Sequence, residues 1–383
     1  MPAVSLDTRL RRQLAALDAQ GLRRSLPRIS HRDGVRYRLG DRDVVGFCSN
    51  DYLGLADRVQ TPDAPAGAAS SRLICGDQPL HREVERRLAL LAGTDDAVLF
   101  PSGFQLNVGV LPSVLSPEDT VFSDQLNHAS LIDGLRLARP RPAILPHAES
   151  PPPPTPPGLT WWVTESIFSM DGDAAAPHAL RAALIAGTCV YLDDAHGLGL
   201  FDGGRGWAAA HGVRPTLYVG TLSKAFGCAG AFVAGSATAC RWIRTRARSF
   251  VFSTGMSPRV VGSIDAALDL VTGEVGEEAR TQLRANLQQL GEGLGLPTPP
   301  QSPIVPLVLG ENARAVAVAE QLLARGWHVQ AIRPPTVPKG TSRLRITVSA
   351  GHDPEHIRGL ISALRDILGS TATSTFARPA PQP

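Results

Sequence analysis

The chain has 383 residues, a formal net charge of +3 and 43% hydrophobic residues, enough for a sizeable core in one large domain or two ordinary ones. Its 38 basic side chains are nearly balanced by 35 acidic ones, so no charge excess marks a nucleic-acid or polyanion binder. There is no run of about 18 apolar residues to span a membrane, and the five cysteines lack a C-x-x-C pair, so they read as buried thiols of a reducing compartment with no metal site.

Taken in chain order, Leu6, Leu10, Leu14 and Leu17 predict a helix over Leu6–Ala19 that stops at Gly21. Arginines beside it faintly suggest a transit peptide, but Asp7 and Asp18 are wrong for one and no signal-peptide apolar core follows. A soluble, cytoplasmic protein is expected. From there to about Val271, short apolar runs alternate with amphipathic segments. Strands are predicted near 44–48, 97–100, 120–122, 161–164, 189–193, 217–220 and 231–234, with helices near 79–91, 105–115, 129–138, 177–186 and 258–271. That alternation implies an α/β fold with a mostly parallel sheet between helices. A long helical stretch follows, then strands near 304–309, 329–332 and 344–348 and helices near 313–325 and 354–368, a smaller α+β unit. The expected division is an N-terminal helix and arm over 1–45, a large domain over 46–275, a small C-terminal domain over 276–369 and a disordered tail over 370–383. Residues 151–157, nearly all proline, can only be an extended connector.

Several motifs lead nowhere. Gly197-x-Gly199 follows a strand, but Asp202 stands where a dinucleotide fingerprint needs its third glycine, which argues against a nucleotide-binding oxidoreductase. Gly220–Lys224 lacks the phosphate-loop spacing, and no paired metal-ligand spacing occurs. The lysines are more informative. Only Lys224 and Lys339 carry a side-chain amine among the 38 basic residues, a count that coding bias toward arginine explains. Lys339, between Pro338 and Gly340, reads as a turn residue. Lys224 stands just past a buried strand in Thr221-Leu-Ser-Lys-Ala-Phe-Gly227, where parallel sheets place ligands. Its small and apolar neighbours favour a desolvated amine able to form a Schiff base.

The preceding strand ends in Asp193-Asp-Ala-His196-Gly197. A carboxylate there needs a cationic partner: a protonated pyridine nitrogen would serve, and so would a plain Asp–His pair capping the turn. Phe100-Pro-Ser-Gly103-Phe104 has the strand–turn–helix form whose free amides suit a phosphate, or is merely a connecting turn. His128, before another helix, can stack on an aromatic ring or simply cap. Glu165–Asp173 adds a further polar strand end. Their coincidence at successive strand ends outweighs any one of them.

Together these stretches resemble the α-oxoamine synthase family of fold-type I pyridoxal-phosphate enzymes. The match runs from Asn50-Asp-Tyr-Leu-Gly-Leu55 to Arg343-Leu-Arg-Ile-Thr-Val348. Its most specific parts are Ser169-Met-Asp-Gly-Asp173, Thr221–Gly227 and Ala331-Ile-Arg-Pro-Pro-Thr336-Val-Pro338. The resemblance implies pyridoxal 5′-phosphate as cofactor, with Lys224 as its Schiff-base lysine, Asp193 on the pyridine nitrogen, His196 on the phenolic oxygen and His128 stacked over the ring. Gly103, Phe104, Ser169 and Thr221 would surround the cofactor, and Thr254 would reach the phosphate of a neighbouring subunit. Arg345 and Asn50 would meet the amino-acid carboxylate, and Arg23 and Thr336 the acyl substrate. Within the family, the likeness is to members of biotin biosynthesis that join L-alanine to pimeloyl-CoA or pimeloyl-acyl carrier protein, as homodimers. A sister activity, such as glycine C-acetyltransferase, and a non-catalytic protein of this fold are the alternatives. Two departures bear on acyl-chain preference: residues 56–70 are short and contain Pro62 and Pro65, and the family's His-Asn-Asp stretch is replaced by His147-Ala-Glu-Ser.

Overall fold

A computed structural model describes residues 5–24 and 26–369; the tail expected over 370–383 lies outside them. Seven strands form the central sheet, in the spatial order Asp96–Phe100, Ala231–Gly235, Leu217–Thr221, Cys189–Asp193, Thr160–Glu165, Thr120–Asp124 and Ala143–Leu145. All pair in parallel except Ala231–Gly235, which runs against both neighbours. The chain is therefore an α/β protein with a largely parallel sheet, as the alternating pattern predicts.

Two apolar clusters cover this sheet. Val98, Phe100, Val163, Tyr191 and Val233 pack on one face against Leu106, Val110 and Leu131 of the helices Gly103–Val114 and Ala129–Leu137. Leu99, Trp162, Leu192 and Phe232 pack on the other, against Val84 and Leu88 of the helix Pro79–Ala92 and Val261 and Ile264 of Pro258–Thr272. Pro79 opens its helix at the first turn, and Gly93 closes it at φ 68°, a left-handed conformation that costs glycine little. Because alternate residues of each strand face opposite helical layers, both faces are apolar and the strand ends alone are left for polar groups.

The helix Glu274–Leu294 leads into a second, antiparallel sheet, Ile304–Gly310, Ser342–Thr347 and Gln330–Ile332. A third sheet was not foreseen. Ile29–Asp33, Arg36–Leu39 and Arg42–Gly46 form an antiparallel meander, and Trp327–His328 adds to it in parallel. Its outer strand is exposed along its whole length, so it carries no apolar alternation to read. The hairpin signal is Asp33-Gly34, with Gly34 at φ 54°.

Helix Leu6–Ala19 forms as the leucine spacing predicts, with Ser5 capping it, but it buries no residue. No helix occupies 56–70; Pro62 lies against Gly262, and the Pro65 carbonyl accepts from Arg259 N at 3.3 Å. The expectation that every cysteine is buried fails: Cys240 is, Cys75 is exposed, and Cys48, Cys189 and Cys228 are intermediate. Cys75 ends a turn over residues 72–75 beside exposed Leu73 and Ile74. Among the described residues no helix is long and apolar enough to cross a membrane, and no group of side chains could hold a metal ion.

Candidate active site

The carboxyl ends of Thr160–Glu165, Cys189–Asp193 and Leu217–Thr221 meet the start of helix Gly103–Val114 at one edge of the sheet. Lys224, three residues past its strand, brings Nζ within 3.0 Å of His196 Nε2. Burial pulls the lysine down to about 8, against the opposing pull of Asp193 and Glu165 and with help from the Arg345 charge. A value of about 8 leaves about a tenth of the amine neutral at pH 7. Burial likewise holds His196 well below the usual imidazole range, with the Lys224, Arg345 and His128 charges adding to it.

The hydrogen-bond partners assign its tautomer. Tyr52 Oη donates to Asn50 Oδ1 at 3.1 Å and lies 2.7 Å from His196 Nδ1. The proton between them therefore belongs to Nδ1, which leaves Nε2 as the acceptor for Lys224. Asn50 Oδ1 also accepts from Arg345 Nη1 at 3.3 Å. A continuous chain thus links Lys224, His196, Tyr52, Asn50 and Arg345. Tyr52 is wholly buried, and sequence reasoning missed it within Asn50-Asp-Tyr-Leu-Gly-Leu55.

Asp193 is 6% exposed. Its Oδ2 accepts from Asn107 Nδ2 at 2.9 Å and its Oδ1 from Ala195 N at 3.0 Å. Asn107, also missed, is oriented by Tyr191 Oη, which donates to its Oδ1 at 2.7 Å. No Lys, Arg or His nitrogen among the described residues comes within ion-pair distance of Asp193. Arg345 is the converse: 7% exposed, it donates from Nε to Ser169 O at 2.6 Å and meets no carboxylate. Its strand neighbour Arg343 is fully partnered, donating to Asp171 Oδ1 at 2.6 Å. Two buried charges of opposite sign therefore flank the Lys224 amine without counterions, an arrangement that is expensive unless a ligand completes it.

Glu165 sits beside Asp193 in register and is nearly inaccessible. Burial first and the Asp193 charge second push it well above the carboxylate range, so its protonated form is favoured. One of its oxygens accepts from His128 N at 2.5 Å, which fixes the start of the next helix. His128 Nδ1 accepts from Ser130 N at 3.2 Å and lies 2.8 Å from Ser130 Oγ. Because Nδ1 accepts from the Ser130 amide it carries no proton, so the hydroxyl donates to it while accepting from Asn107 Nδ2 at 2.9 Å. Nε2–H is then the open donor of the ring. Burial holds His128 below its ordinary range; Asp193 opposes this and Lys224 adds to it.

At the other end of the edge, Ser102 caps helix Gly103–Val114 by accepting from Gln105 N at 3.2 Å. The early amides of this helix, at Gly103 and Phe104, remain for an anion. A Cβ at Gly103 would lie 3.5 Å from Thr221 Oγ1, which itself lies 3.2 Å from Ser223 Oγ. Phe104 is exposed.

The structure thus gathers Asn50, Gly103, His128, Ser169, Asp193, His196, Thr221, Lys224 and Arg345 at one edge. It leaves three residues outside. Thr254 is exposed, beside Ser253, which Gln105 Nε2 holds at 3.0 Å. Arg23 is exposed and bonded to Asp18 at 2.8 Å. Thr336 is exposed on a turn whose Arg333 reaches Gly21 O at 2.5 Å, so the Arg23 and Thr336 segments are neighbours of each other. Lys339 lies in an exposed turn closed by Thr341 N donating to Pro338 O at 3.2 Å.

The geometry fits pyridoxal phosphate part by part: an amine of lowered basicity for its aldehyde, an uncompensated carboxylate for its ring nitrogen, a helix start for its phosphate. The chain matches the class I and II aminotransferase family over residues 42–364. It is 42% identical to 8-amino-7-oxononanoate synthase of Anaeromyxobacter dehalogenans strain 2CP-1, with 93% of this chain and 94% of that protein aligned. To the enzyme of the same name from Herminiimonas arsenicoxydans it is 39% identical, covering 92% and 97%. Among solved structures, Sphingomonas wittichii serine palmitoyltransferase superposes with a TM-score of 0.84 at 25% identity, over 96% of this chain and 99% of that one. The 8-amino-7-oxononanoate synthase of Francisella tularensis superposes at 0.70 and 21% identity, over 85% and 98%, a likeness of fold. The chain belongs to the class I and II aminotransferase family, in the branch that holds the 8-amino-7-oxononanoate synthases.

Proposed function

We propose that this chain is a pyridoxal-phosphate-dependent acyltransferase. It condenses L-alanine with a pimeloyl thioester to give 8-amino-7-oxononanoate, carbon dioxide and the free thiol, a step of biotin biosynthesis. The observation that carries the reading is the buried Lys224 amine, on which the charges of buried Asp193 and buried Arg345 both act, neither of which forms an ion pair among the described residues.

Pyridoxal phosphate, when bound, supplies an electrophilic aldehyde and a protonated ring that draws electron density from the substrate Cα. The protein does the rest. Lys224 would hold the aldehyde of the bound group and would serve as the base facing the substrate Cα; its lowered basicity, about 8, suits that task near neutral pH. Asp193, oriented by Asn107, would hold the proton on the ring nitrogen of the bound group. His196, whose tautomer Tyr52 sets, would present Nε2 as an acceptor beside Lys224 to the phenolic hydroxyl of the bound group. Arg345, held by Ser169 and Asn50, receives the alanine carboxylate and so orients Cα. His128 would lie beside the ring of the bound group, with Nε2–H free to donate to a thioester oxygen. The amides of Gly103 and Phe104 and the hydroxyl of Thr221 take the phosphate.

We read the active form as a cytoplasmic homodimer. Exposed Leu73, Ile74, Phe104 and Phe252 support it, since their segments adjoin: Gly255 N donates to Ser70 O at 2.9 Å, and Gln105 holds Ser253. In that dimer Thr254 reaches the partner's phosphate, and Arg23 and Thr336 meet the acyl chain, carried on coenzyme A or on acyl carrier protein. Mass analysis of products from pimeloyl-CoA and L-alanine, beside glycine and serine, tests the reading. Formation of 8-amino-7-oxononanoate is expected; a product only with glycine or serine would assign a sister activity instead.

A further inference from the structure

His147 lies outside the cluster around Lys224, in the segment where the chain departs from its family's pattern. Its Nδ1 is 3.1 Å from both oxygens of Asp124, and its Nε2 is 2.8 Å from Asp173 Oδ2. The ring stands edge-on to Phe168 with centroids 4.4 Å apart. Both nitrogens face carboxylates, and an imidazole can donate from both only as the cation.

Each carboxylate belongs to a turn that bears site residues. Asp124 ends its strand and also accepts from Leu126 N at 2.7 Å and Ala148 N at 3.2 Å; the turn continues into His128. Asp173 closes the other turn, where Phe168 N donates to Asp173 O at 2.9 Å and Gly172 N to Phe168 O at 2.8 Å. That second turn presents Ser169 O to Arg345 and Asp171 to Arg343. It thereby seats the strand Ser342–Thr347 against the large sheet. The strands that lead into the two turns pair with each other, and Glu165 accepts from His128 N; beyond the strand ends His147 adds the link from Asp124 to Asp173.

We infer that His147 is a positioning residue, a cationic bridge between the His128 turn and the Ser169–Asp173 turn that sets where Arg345 holds the amino-acid carboxylate. The side chain is 17% exposed. Burial works against its charge, but the hydrogen bonds and charges of Asp124 and Asp173 prevail and raise it to about 10, so the bridge persists across the neutral range. Charge-assisted bonds of this kind are about twice as strong as neutral ones.

The inference rests on the proposed condensation, so wild-type enzyme loaded with pyridoxal phosphate is assayed first with L-alanine and pimeloyl-CoA. No turnover there removes the functional reading itself. With turnover established, His147→Gln is expected to raise the KM for L-alanine by about tenfold while kcat changes by less than about threefold. It should also speed hydrogen exchange in residues 166–175, with or without cofactor. His147→Arg, which keeps charge and several donors, should recover most of the KM. A wild-type KM and exchange rate in His147→Gln overturns the bridge, as does a loss of kcat at unchanged KM, which a merely structural residue would give. Should His147→Gln not fold, Asp173→Asn removes one arm of the bridge from the far side and is judged by the same two outcomes.

Discussion

Two buried groups of charges in this protein are built on opposite plans. Behind the strand Asp96–Phe100, Arg72 donates to both oxygens of Glu85, one of them at 3.1 Å, and to Asp77 at 2.7 Å. Arg244 meets Glu85 at 3.2 Å and Asp96 at 2.9 Å, and Leu99 N adds a bond to Glu85 at 2.9 Å. Every charge there has a partner of opposite sign within the chain. Around Lys224, Asp193 and Arg345 have hydrogen bonds but no counterions. Burial is comparable in the two places, so burial alone does not mark a site. What differs is whether the chain completes its own electrostatics or leaves them for a ligand.

That contrast can be broken experimentally, and the largest effect is expected at the amine. Lys224→Ala should abolish covalent attachment of the cofactor and lower turnover by about 10³-fold or more, read from the visible absorbance band and from thiol release. Full activity in this variant would sink the assignment. Asp193→Asn, which preserves shape and removes charge, should cost about 10²-fold or more in kcat, and Arg345→Lys should raise the KM for L-alanine by about tenfold or more because a bidentate fork is lost. In the self-contained network the outcome reverses. Glu85→Gln should destabilise the fold by about 3–5 kcal/mol in denaturant titration, while the folded fraction keeps its kinetic constants.

A smaller effect concerns pH. The folded-state pKa of Lys224 is depressed to about 8 by burial, so the neutral amine gains as pH rises. The rate at which cofactor-free protein attaches pyridoxal phosphate should therefore climb through pH 7 and level off above about 8. A rate still climbing steeply at pH 10 would mean an ordinary, solvated lysine. Smallest of all is Lys339→Ala, in an exposed turn, which should leave attachment and turnover nearly intact.

Much of the site was legible in the chain because its members stand at the ends of recognisable strands. Lys224, Asp193 and His196 follow apolar runs, and the Ser169 turn follows another. Tyr52, Asn107 and Glu165 were not singled out. Tyr52 reaches His196 across 144 positions and Asn107 reaches Asp193 across 86, and nothing local to either residue announces such a partner. Glu165 lay in a noted motif, yet the upward push on its carboxyl comes from burial and from standing beside Asp193 in register. Of the meander from Ile29 to Gly46 the last strand was expected near 44–48, whereas the outer strand Ile29–Asp33 went unseen because a strand without a buried face has no apolar period, although Asp33-Gly34 is a readable turn.

The amino-acid sequence by itself determined which side chain could carry the chemistry. A chain that uses arginine at nearly every basic position holds one lysine past a buried strand, and only an amine can lose its proton and bond to an aldehyde carbon. Composition and neighbours were enough for that. Tertiary structure alone decided which charges are left incomplete. Arg343 and Arg345 are two residues apart on one strand, yet the first finds Asp171 and the second finds no carboxylate. Whether a buried charge is neutralised depends on which distant segments fold against it, and that information is spread over the whole chain.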